Sequence, residues 1–438
     1  MTDTAQQPVK QTVPEPSRWH VALRQITQSS GLVILLAVVL SFVIGGIMIA
    51  ATDVEVQAAA GYFFARPGDT FGAIWEAVFG AYSALFRGSI FNYEAETFVQ
   101  AIRPITETLA YATPLIAAGL GVALAFRIGM FNIGGRGQML VAASAAGWIG
   151  FGVELPWGLH MLLALVVGVL AGALWGGIAG ILKARTGAHE VIVTIMLNYV
   201  AYYLVSWLLR TPGLLQDPRS SNPISPPPNE TAVLPKLLGD QFNLHFGFVL
   251  VILATIFVWW VLNRSSLGFR FRAVGENPNA ARVAGIDVNR MYVVGMLMAG
   301  GLVGLAGVSQ VLGSSTSGVT SGADAGIGFE AITVALLGGS TPWGTFAAGL
   351  LFGALKAGSF TMRSAEQIPL EIVTVVQSLI VLFIAAPPLV RAIFFLPSPE
   401  RTRKREARRR KKELRHEARL AAQVAAAEKS GVPTNGAA

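Results

Sequence analysis

The sequence predicts an all-α integral membrane protein of about ten transmembrane helices, arranged as an inverted repeat of five plus five. The first observation is composition: 53% of the 438 residues are hydrophobic and 13% are charged, whereas soluble domains are about 25% charged. The second is that apolar runs of roughly 20 residues, enough to cross a bilayer, recur along the chain. The third is a Pro-Trp-Gly turn that occurs at both 156–158 and 342–344.

Ten apolar segments account for the predicted spans. They cover residues 31–50, 105–126, 137–153, 159–182, 190–210, 246–263, 291–312, 326–339, 343–361 and 369–389. The first segment is longer than a signal-peptide core and has no clear cleavage site, so we expect an uncleaved helix. With ten crossings, the clusters of Arg and Lys all fall on one side, which the positive-inside rule assigns to the cytoplasm.

This topology divides the chain into a cytoplasmic N-terminal segment (1–30), a membrane domain (31–390) and a basic cytoplasmic tail (391–438). The tail follows directly on a span, which favours an anchor on anionic lipid over nucleic-acid binding. The largest cytoplasmic loop covers residues 264–290. The outer loops are an aromatic stretch at 51–104, predicted to be amphipathic and interfacial, and a Pro-rich, irregular stretch at 211–245.

The two Pro-Trp-Gly copies lie five spans apart. Because five is odd, the spans that flank one copy cross the membrane in the direction opposite to those that flank the other. Inverted repeats of this kind are typical of transporters, whose pathway lies between the halves and near discontinuous helices. Two Gly-rich segments, 129–138 and 326–339, are predicted to be discontinuous. Irregular backbone is tolerated at membrane depth only where it lines a cavity or is buried in protein.

Polar residues near these segments are the candidates for the substrate pathway. The candidate residues are Asn132, Gln138, Asn198, Phe329 and Glu330. A charge at a helix centre costs about 2.5–3.5 kcal/mol, so we expect Glu330 to have a partner, and Lys356 on the next span is within reach. A structural ion pair, and an interhelical hydrogen bond for Asn198, remain the alternatives to a role in the pathway.

Several classes of function have no support in the sequence. There is no cysteine, the five histidines lack metal-ligand spacing, and no catalytic constellation is visible. There is also no phosphate-binding loop of the type Gly-x4-Gly-Lys-Ser/Thr. We therefore expect no enzymatic activity, no metal and no cofactor on this chain, with any ATP bound by a partner subunit.

Two glycine stripes predict close helix packing. One is spaced every four residues at Gly168, Gly172, Gly176 and Gly180, and the other contains Gly300, Gly304 and Gly307. Small residues let helix backbones approach closely in lipid. We expect these stripes to pack the protomer internally, with a dimer interface as the alternative.

The loop 264–290 contains a short helix with its own caps. Asn277 is a good N-cap, Pro278 suits the first helical position, and Gly285 can close the helix in the left-handed conformation. Such a helix in a basic loop predicts a docking element for a cytoplasmic protein. Its proposed contact residues are Glu276, Asn277, Pro278, Ala280, Ala281, Arg282, Ala284 and Gly285.

Four stretches resemble a known family. They are Phe131-Asn-Ile-Gly-x-x-Gly-Gln138, Glu190-Val-Ile-Val-Thr-Ile-Met-Leu-Asn-Tyr199, Gly275-Glu-Asn-Pro-x-Ala-Ala-x-x-Ala-Gly-Ile286 and Gly328-Phe-Glu-Ala-Ile-x-Val-Ala-Leu-Leu-Gly338. As a set they resemble the permease subunit of an ABC importer, in the group of ribose and branched-chain amino acid permeases. The first two are most similar to the nucleoside-importing branch. Arg136 departs from that branch, which usually has Glu there.

The resemblance implies a type II ABC importer permease fold in a bacterial cytoplasmic membrane, with both termini cytoplasmic. It implies a separate cytoplasmic ATPase that grips the 276–285 helix, a second permease subunit that is a paralogue, and an extracytoplasmic substrate-binding lipoprotein. The expected cargo is a nucleoside or a related small sugar, moved by alternating access. A secondary transporter with an inverted-repeat fold is the alternative, since the repeat alone would equally support it.

Overall fold

A computed structural model describes residues 30–395 and the single position Ala418, and the described residues form helices joined by turns and irregular segments, without a β-sheet. Its helices are α1 Ser30–Thr52, α2 Val54–Ala60, α3 Pro67–Ser89, α4 Phe98–Arg127, α5 Gly135–Gly152, α6 Leu159–Thr186, α7 Glu190–Leu208, α8 Gly247–Arg264, α9 Ser266–Glu276, α10 Pro278–Val283, α11 Val288–Ser309, α12 Ile327–Leu337, α13 Pro342–Glu366, α14 Leu370–Ala385 and α15 Pro387–Ile393. A π-helical turn, Gln310–Ser314, extends α11.

The chain forms two compact units. Residues 41–381 make up the larger unit, and residues 30–40 and 382–395 are the main described parts of the smaller one. Every packing contact and site discussed below lies in the larger unit. The predicted N-terminal segment 1–30 and the basic tail 391–438 lie almost wholly outside the described residues, so their predicted roles remain predictions.

All ten predicted spans coincide with helices. In the described part of the chain, seven helices are long and apolar enough to cross a membrane, or eight if α14 and α15 count as one span. The two remaining segments are α5, which begins on the polar run Gly-Arg-Gly-Gln, and α12. Helix α12 has 11 residues and is therefore about 16 Å long, which is too short to cross alone.

The helix packing follows the symmetry expected of an inverted repeat. The prediction makes α4, α5 and α6 equivalent to α11, α12 and α13. The packing of α6 on α11 then corresponds to α13 on α4, and α5 on α11 corresponds to α12 on α4; all four contacts are present. The pairs α4–α11 and α5–α12, which this symmetry maps onto themselves, are also in contact. These paired contacts support the five-plus-five arrangement.

The two glycine stripes face each other across the contact between α6 and α11. A Cβ atom placed on Gly172 would lie 2.6 Å from the Gly304 Cα and 2.8 Å from the Gly300 carbonyl oxygen. A Cβ atom on Gly176 would lie 2.8 Å from the carbonyl oxygen of Met296. The expected internal packing is confirmed, because these glycines are covered within the protomer and have no surface left for a second one.

The stretch 51–104, predicted to be amphipathic and interfacial, contains α2, α3 and the start of α4, and α3 holds its aromatic face. Its Phe71, Trp75 and Phe79 share one helix face, and each is more than half exposed. The Trp75 and Phe79 rings stack with their centroids 5.6 Å apart. The helix and its aromatic face are therefore as expected, while its position at a bilayer surface stays a prediction.

The Pro-rich segment between α7 and α8 forms turns and an isolated bridge between Lys236 and His245, as expected. His245 is buried beside the π-helical turn. Its Nε2 lies 3.1 Å from the Ser314 hydroxyl, and its Nδ1 accepts from the Gly247 N–H at 3.1 Å. Burial lowers the pKa of His245 to about 4, so the neutral ring ties this segment to the end of α11.

The α6–α11 contact predicts that Gly172→Val destabilises the fold. The added methyl groups have no space, and overpacking of this kind costs about 1–3 kcal/mol. The thermal midpoint of the purified protein in detergent should fall by several degrees. Gly152→Val is the matched control, because a Cβ atom at Gly152 meets nothing within 4 Å. Equal melting of the two variants would contradict the packing.

The environment of His245 predicts a dependence of stability on pH. The folded pKa of about 4 lies below the usual 6.5, so this contribution is complete above pH 6.5 and is lost as the pH falls towards 4. A shift of this size corresponds to roughly 3 kcal/mol. The thermal midpoint should therefore fall more steeply between pH 7 and pH 5 for the wild type than for His245→Gln, which cannot titrate. If the thermal midpoints of the two proteins fall equally with pH, the lowered pKa of His245 does not contribute to stability.

Candidate functional site

Two irregular segments meet at the centre of the paired helices. Residues 128–134 separate α4 from α5, and residues 315–326 separate the π-helical turn from α12. The first turns of α5 and α12 touch: a Cβ atom on Gly135 would lie 2.6 Å from the Gly328 carbonyl oxygen. The first predicted discontinuous segment, 129–138, is confirmed, because it contains most of the 128–134 break. The second, 326–339, is instead the short continuous helix α12, and the break lies just before it at 315–326. Glycine on both sides permits the contact between the two helix starts.

Side chains from α5 and from the break itself hold the 128–134 segment. Asn132 and Gln138 exchange two hydrogen bonds between their amides, at 3.1 and 3.2 Å. The Asn132 side chain also accepts from the Gly134 N–H at 2.9 Å. Both side chains are almost fully buried. Residues 128–130 bond back to the last carbonyls of α4, and Gln138 holds the Asn132 side chain where it satisfies the Gly134 N–H beyond them.

Helix α7 supplies the remaining partners of this break. Asn198 donates to the Ile133 carbonyl oxygen at 2.9 Å and accepts from the Gly137 N–H at 2.8 Å. The Thr194 hydroxyl accepts from the Ile133 N–H at 3.3 Å. Asn198 thus makes the interhelical hydrogen bonds weighed as the alternative to a pathway role. Thr194 was missed by sequence reasoning, although it lies one helical turn before Asn198.

The five pathway candidates therefore occupy two environments. Asn132, Gln138 and Asn198 are buried, and their hydrogen bonds hold the 128–134 segment in position. They could contact a transported molecule only if this network opened. Phe329 is 49% exposed. Glu330 is partly exposed and forms the expected ion pair with Lys356, with 3.5 Å between Oε2 and Nζ.

Arg136 joins the two breaks through a residue that sequence reasoning missed. Its Nε lies 3.3 Å from Oδ1 of Asp324, and its guanidinium lies 5.0 Å from the centre of the Tyr202 ring. Asp324 is buried, and its other oxygen accepts from the Gly326 N–H at 3.3 Å. The sequence signal for Asp324 is a single acid within a stretch of Ser, Thr, Gly and Ala.

The predicted capped helix is present in the 264–290 loop as α10. The Asn277 side chain accepts from the Asn279 and Ala280 N–H groups, both at 3.0 Å. Pro278 occupies the first turn, and Gly285 has the expected positive φ of 80°. The structure adds a second helix, α9, which begins at the Ser265 cap and buries Phe271 and Val274. The cap residues are thus confirmed, and α9 was missed.

The exposed face of α10 differs from the predicted set at three positions: Ala281 is buried, and Asn279 and Val283 are exposed. Ala281 is only 3% exposed and packs against its own chain, so its predicted availability to a partner is wrong. Val283, absent from the predicted set, is 92% exposed. The other contact residues proposed from sequence are exposed, apart from Pro278, which is partly buried. Because Val283 is the last residue of α10, the C-terminal end of this helix presents an exposed apolar side chain.

Helix α9 contacts the turn that leads into the first break. Gly275 packs on the Arg127 carbonyl, and a Cβ atom on Gly129 would lie 3.2 Å from the Gly275 Cα. Arg127 in turn donates through Nε to the Ser340 carbonyl oxygen, at 2.8 Å, just after α12 ends. The turn at 127–129 therefore touches both the α9–α10 segment and the end of the second discontinuous element.

Comparisons with known proteins agree with this geometry. The family described as branched-chain amino acid transport system / permease component matches residues 105–385. The guanosine ABC transporter permease protein NupP of Bacillus subtilis (strain 168) is 36% identical, with the alignment covering 83% of this chain and 95% of that relative. The nucleoside permease protein NupB of Lactococcus lactis subsp. cremoris (strain MG1363) is 35% identical, covering 74% and 90%.

Another relative is named for a sugar. The glucose ABC transporter permease protein TsgB13 of Haloferax volcanii is 35% identical over 64% of this chain and 75% of that relative. No solved structure matches the chain. Three findings agree: the fold is helical with broken spans, the family matches more than half of the chain, and a permease relative is covered almost completely. The chain belongs to the branched-chain amino acid transport system / permease component family, and it is the multi-span, non-enzymatic permease component of an ABC transporter system.

Proposed function

We propose that this permease imports nucleosides or related small sugars by alternating access driven by a separate ATPase. The cargo class rests on the named cargoes of the relatives, which include guanosine, nucleosides and glucose. The mechanism rests chiefly on one observation: the exposed α9–α10 segment packs directly on the turn that precedes the first break.

The assembly would follow the pattern of the family. The membrane domain lies in a bacterial cytoplasmic membrane with both termini and the loop 264–290 on the cytoplasmic side, and the short helix α12 completes its crossing together with the irregular segment before it. A cytoplasmic ATPase binds α10, a second permease subunit, a paralogue, lies beside this one, and a substrate-binding lipoprotein delivers cargo from outside. The basic residues of the loop support its cytoplasmic position.

Movement would pass from the ATPase to the pathway through close backbone contacts. Closure of the ATPase dimer on ATP moves α9 and α10 as one body, because the two helices are in contact with each other. Buried Phe271 and Val274 join this body to the membrane domain. The Gly275–Gly129 contact passes this movement to residues 128–134. The two halves then rock about the junction of Gly135 and Gly328, which exposes Phe329 and Glu330 to cargo alternately from each side.

The exposed face of α10 provides a test of ATPase docking. Ala280→Trp should abolish uptake of radiolabelled guanosine in cells expressing the full system, because the indole would occupy space needed by the ATPase. Membrane abundance should stay unchanged, since Ala280 is exposed. Ala60→Trp, on the exposed surface of α2, is the matched control and should retain uptake. Normal uptake by Ala280→Trp would rule out docking through this face.

The Arg136–Asp324 pair provides a test of the junction between the breaks. Arg136→Glu places a second carboxylate beside buried Asp324 and should lower uptake at least tenfold. Adding Asp324→Asn removes the repulsion and preserves an acceptor for the Gly326 N–H, so the double variant should recover part of the loss. Arg136→Lys, which keeps the charge, should be the mildest single change. If the second substitution deepens the defect instead, the pair does not control the junction.

A further inference from the structure

A polar cavity lies beside the second break, on the loop that leads into α12. It has a volume of about 150 Å³. Its polar lining residues are Gln310, Ser315, Ser317 and Thr320, and the other lining residues are Val311, Gly318, Gly322, Ala323 and Ala325. None of its lining residues belongs to the buried network of Asn132 or to the Glu330–Lys356 pair.

The lining side chains have free hydrogen-bonding capacity. Across residues 30–395, none of the four polar side chains forms a hydrogen bond to another protein group. Three are hydroxyls, which both donate and accept, and the fourth is an amide with two donors and one acceptor oxygen. A set of this kind matches the hydroxyl groups of a sugar, which also donate and accept.

The backbone beneath the cavity is held in place at two points. Val319 is buried, and its backbone exchanges two hydrogen bonds with Ser225, at 2.8 and 3.0 Å. Asp324, at the other end of the loop, is held by Arg136. The loop is thus fixed through its backbone and its non-lining residues, while the polar lining side chains are exposed or partly exposed and bond to no other protein group among the described residues. A backbone fixed in this way need not be ordered when a ligand binds, which lowers the entropy lost on binding.

The first wall of the cavity is the π-helical turn Gln310–Ser314. The Ser315 N–H donates to the Gln310 carbonyl oxygen at 2.8 Å, which closes the wider turn. Single π-helical turns within α-helices are frequent at functional sites. Here the turn ends α11 and places Gln310 and Ser315 on the same cavity. Irregular backbone of this kind, within a membrane domain, is expected where it lines a cavity.

Resting on the proposed function, we infer that this cavity is a subsite for the sugar moiety of the cargo. The nucleosides and glucose named among the relatives share a ring that carries several hydroxyl groups. At about 150 Å³, the cavity has the volume of roughly five water molecules, which suits one hydroxylated ring. A nucleobase attached to that ring would remain outside the cavity, and the cavity would be indifferent to its identity.

Protection of an engineered thiol tests occupancy. The chain contains no cysteine, so Ser317→Cys introduces one reactive group into this subunit. In the full importer reconstituted in liposomes with its binding protein and ATP, the position should react with a methanethiosulfonate reagent. Guanosine and glucose are the probes, and any that is transported should slow the reaction at least threefold. Thr316→Cys, on the same loop but outside the lining, should react at the same rate with and without them.

Loss of one hydroxyl tests the chemistry of recognition. Thr320→Val keeps the side-chain shape and removes a hydrogen-bonding group. Combined with Ser317→Cys, it should raise the concentration of guanosine that gives half protection by about threefold to tenfold, the range expected for one hydrogen bond. Protection by 2′,3′-dideoxyguanosine should change less, because that compound lacks the ring hydroxyls. Ser321→Ala, outside the lining, should change neither value.

The outcomes separate the subsite from the proposed function. If the Ser317→Cys importer transports guanosine or glucose while the thiol is unprotected, or does not react at all, the subsite is wrong and the proposed function stands. If the wild-type importer transports neither compound, the proposed cargo class fails, and the subsite fails with it. Protection by glucose and guanosine but not by free guanine is the result that identifies the sugar as the recognised part.

Discussion

The break between α4 and α5 imposes the constraint on which the rest of the centre depends. Backbone N–H and C=O groups that leave helical geometry inside a membrane domain must find other partners. Asn132 within the break and Asn198 and Thr194 of α7 provide them, and Gln138 of α5 holds Asn132 in position. With those partners in place, α5 can begin at Gly135, meet α12 at Gly328 and present Arg136 to Asp324.

Glycine determines which backbones can touch. Three contacts leave no room for a Cβ atom: α6 with α11, Gly135 with Gly328, and Gly275 with Gly129. Such contacts transmit displacement well, because backbones that touch cannot absorb movement through side-chain rotamers. The same chemistry therefore holds the protomer together and connects the α9–α10 segment to the centre of the repeat.

Some parts of the site were accessible to sequence reasoning because they are local. The caps of α10 depend on Asn277, Pro278 and Gly285, which lie within nine residues of one another, and all three behave as expected. Clustered glycine signalled the first break, whereas the second segment singled out for its glycines, 326–339, is the short helix α12 that follows the second break. The pairing of Glu330 with Lys356 followed from the cost of an isolated charge at membrane depth. Helix α9 escaped notice because its apolar residues are few and are interspersed with Arg270 and Arg272.

Sequence by itself determined the helical membrane class, the positions of the spans, the caps and the family, because each is written in composition, in apolar run length or in residues close together along the chain. Tertiary structure alone decided which polar residues are buried and which are free. Arg136 looked like a departure from a pattern until Asp324, far along the chain, proved to be its partner. Ala281 looked available until packing buried it. Such outcomes depend on contacts between distant segments, which no local pattern encodes.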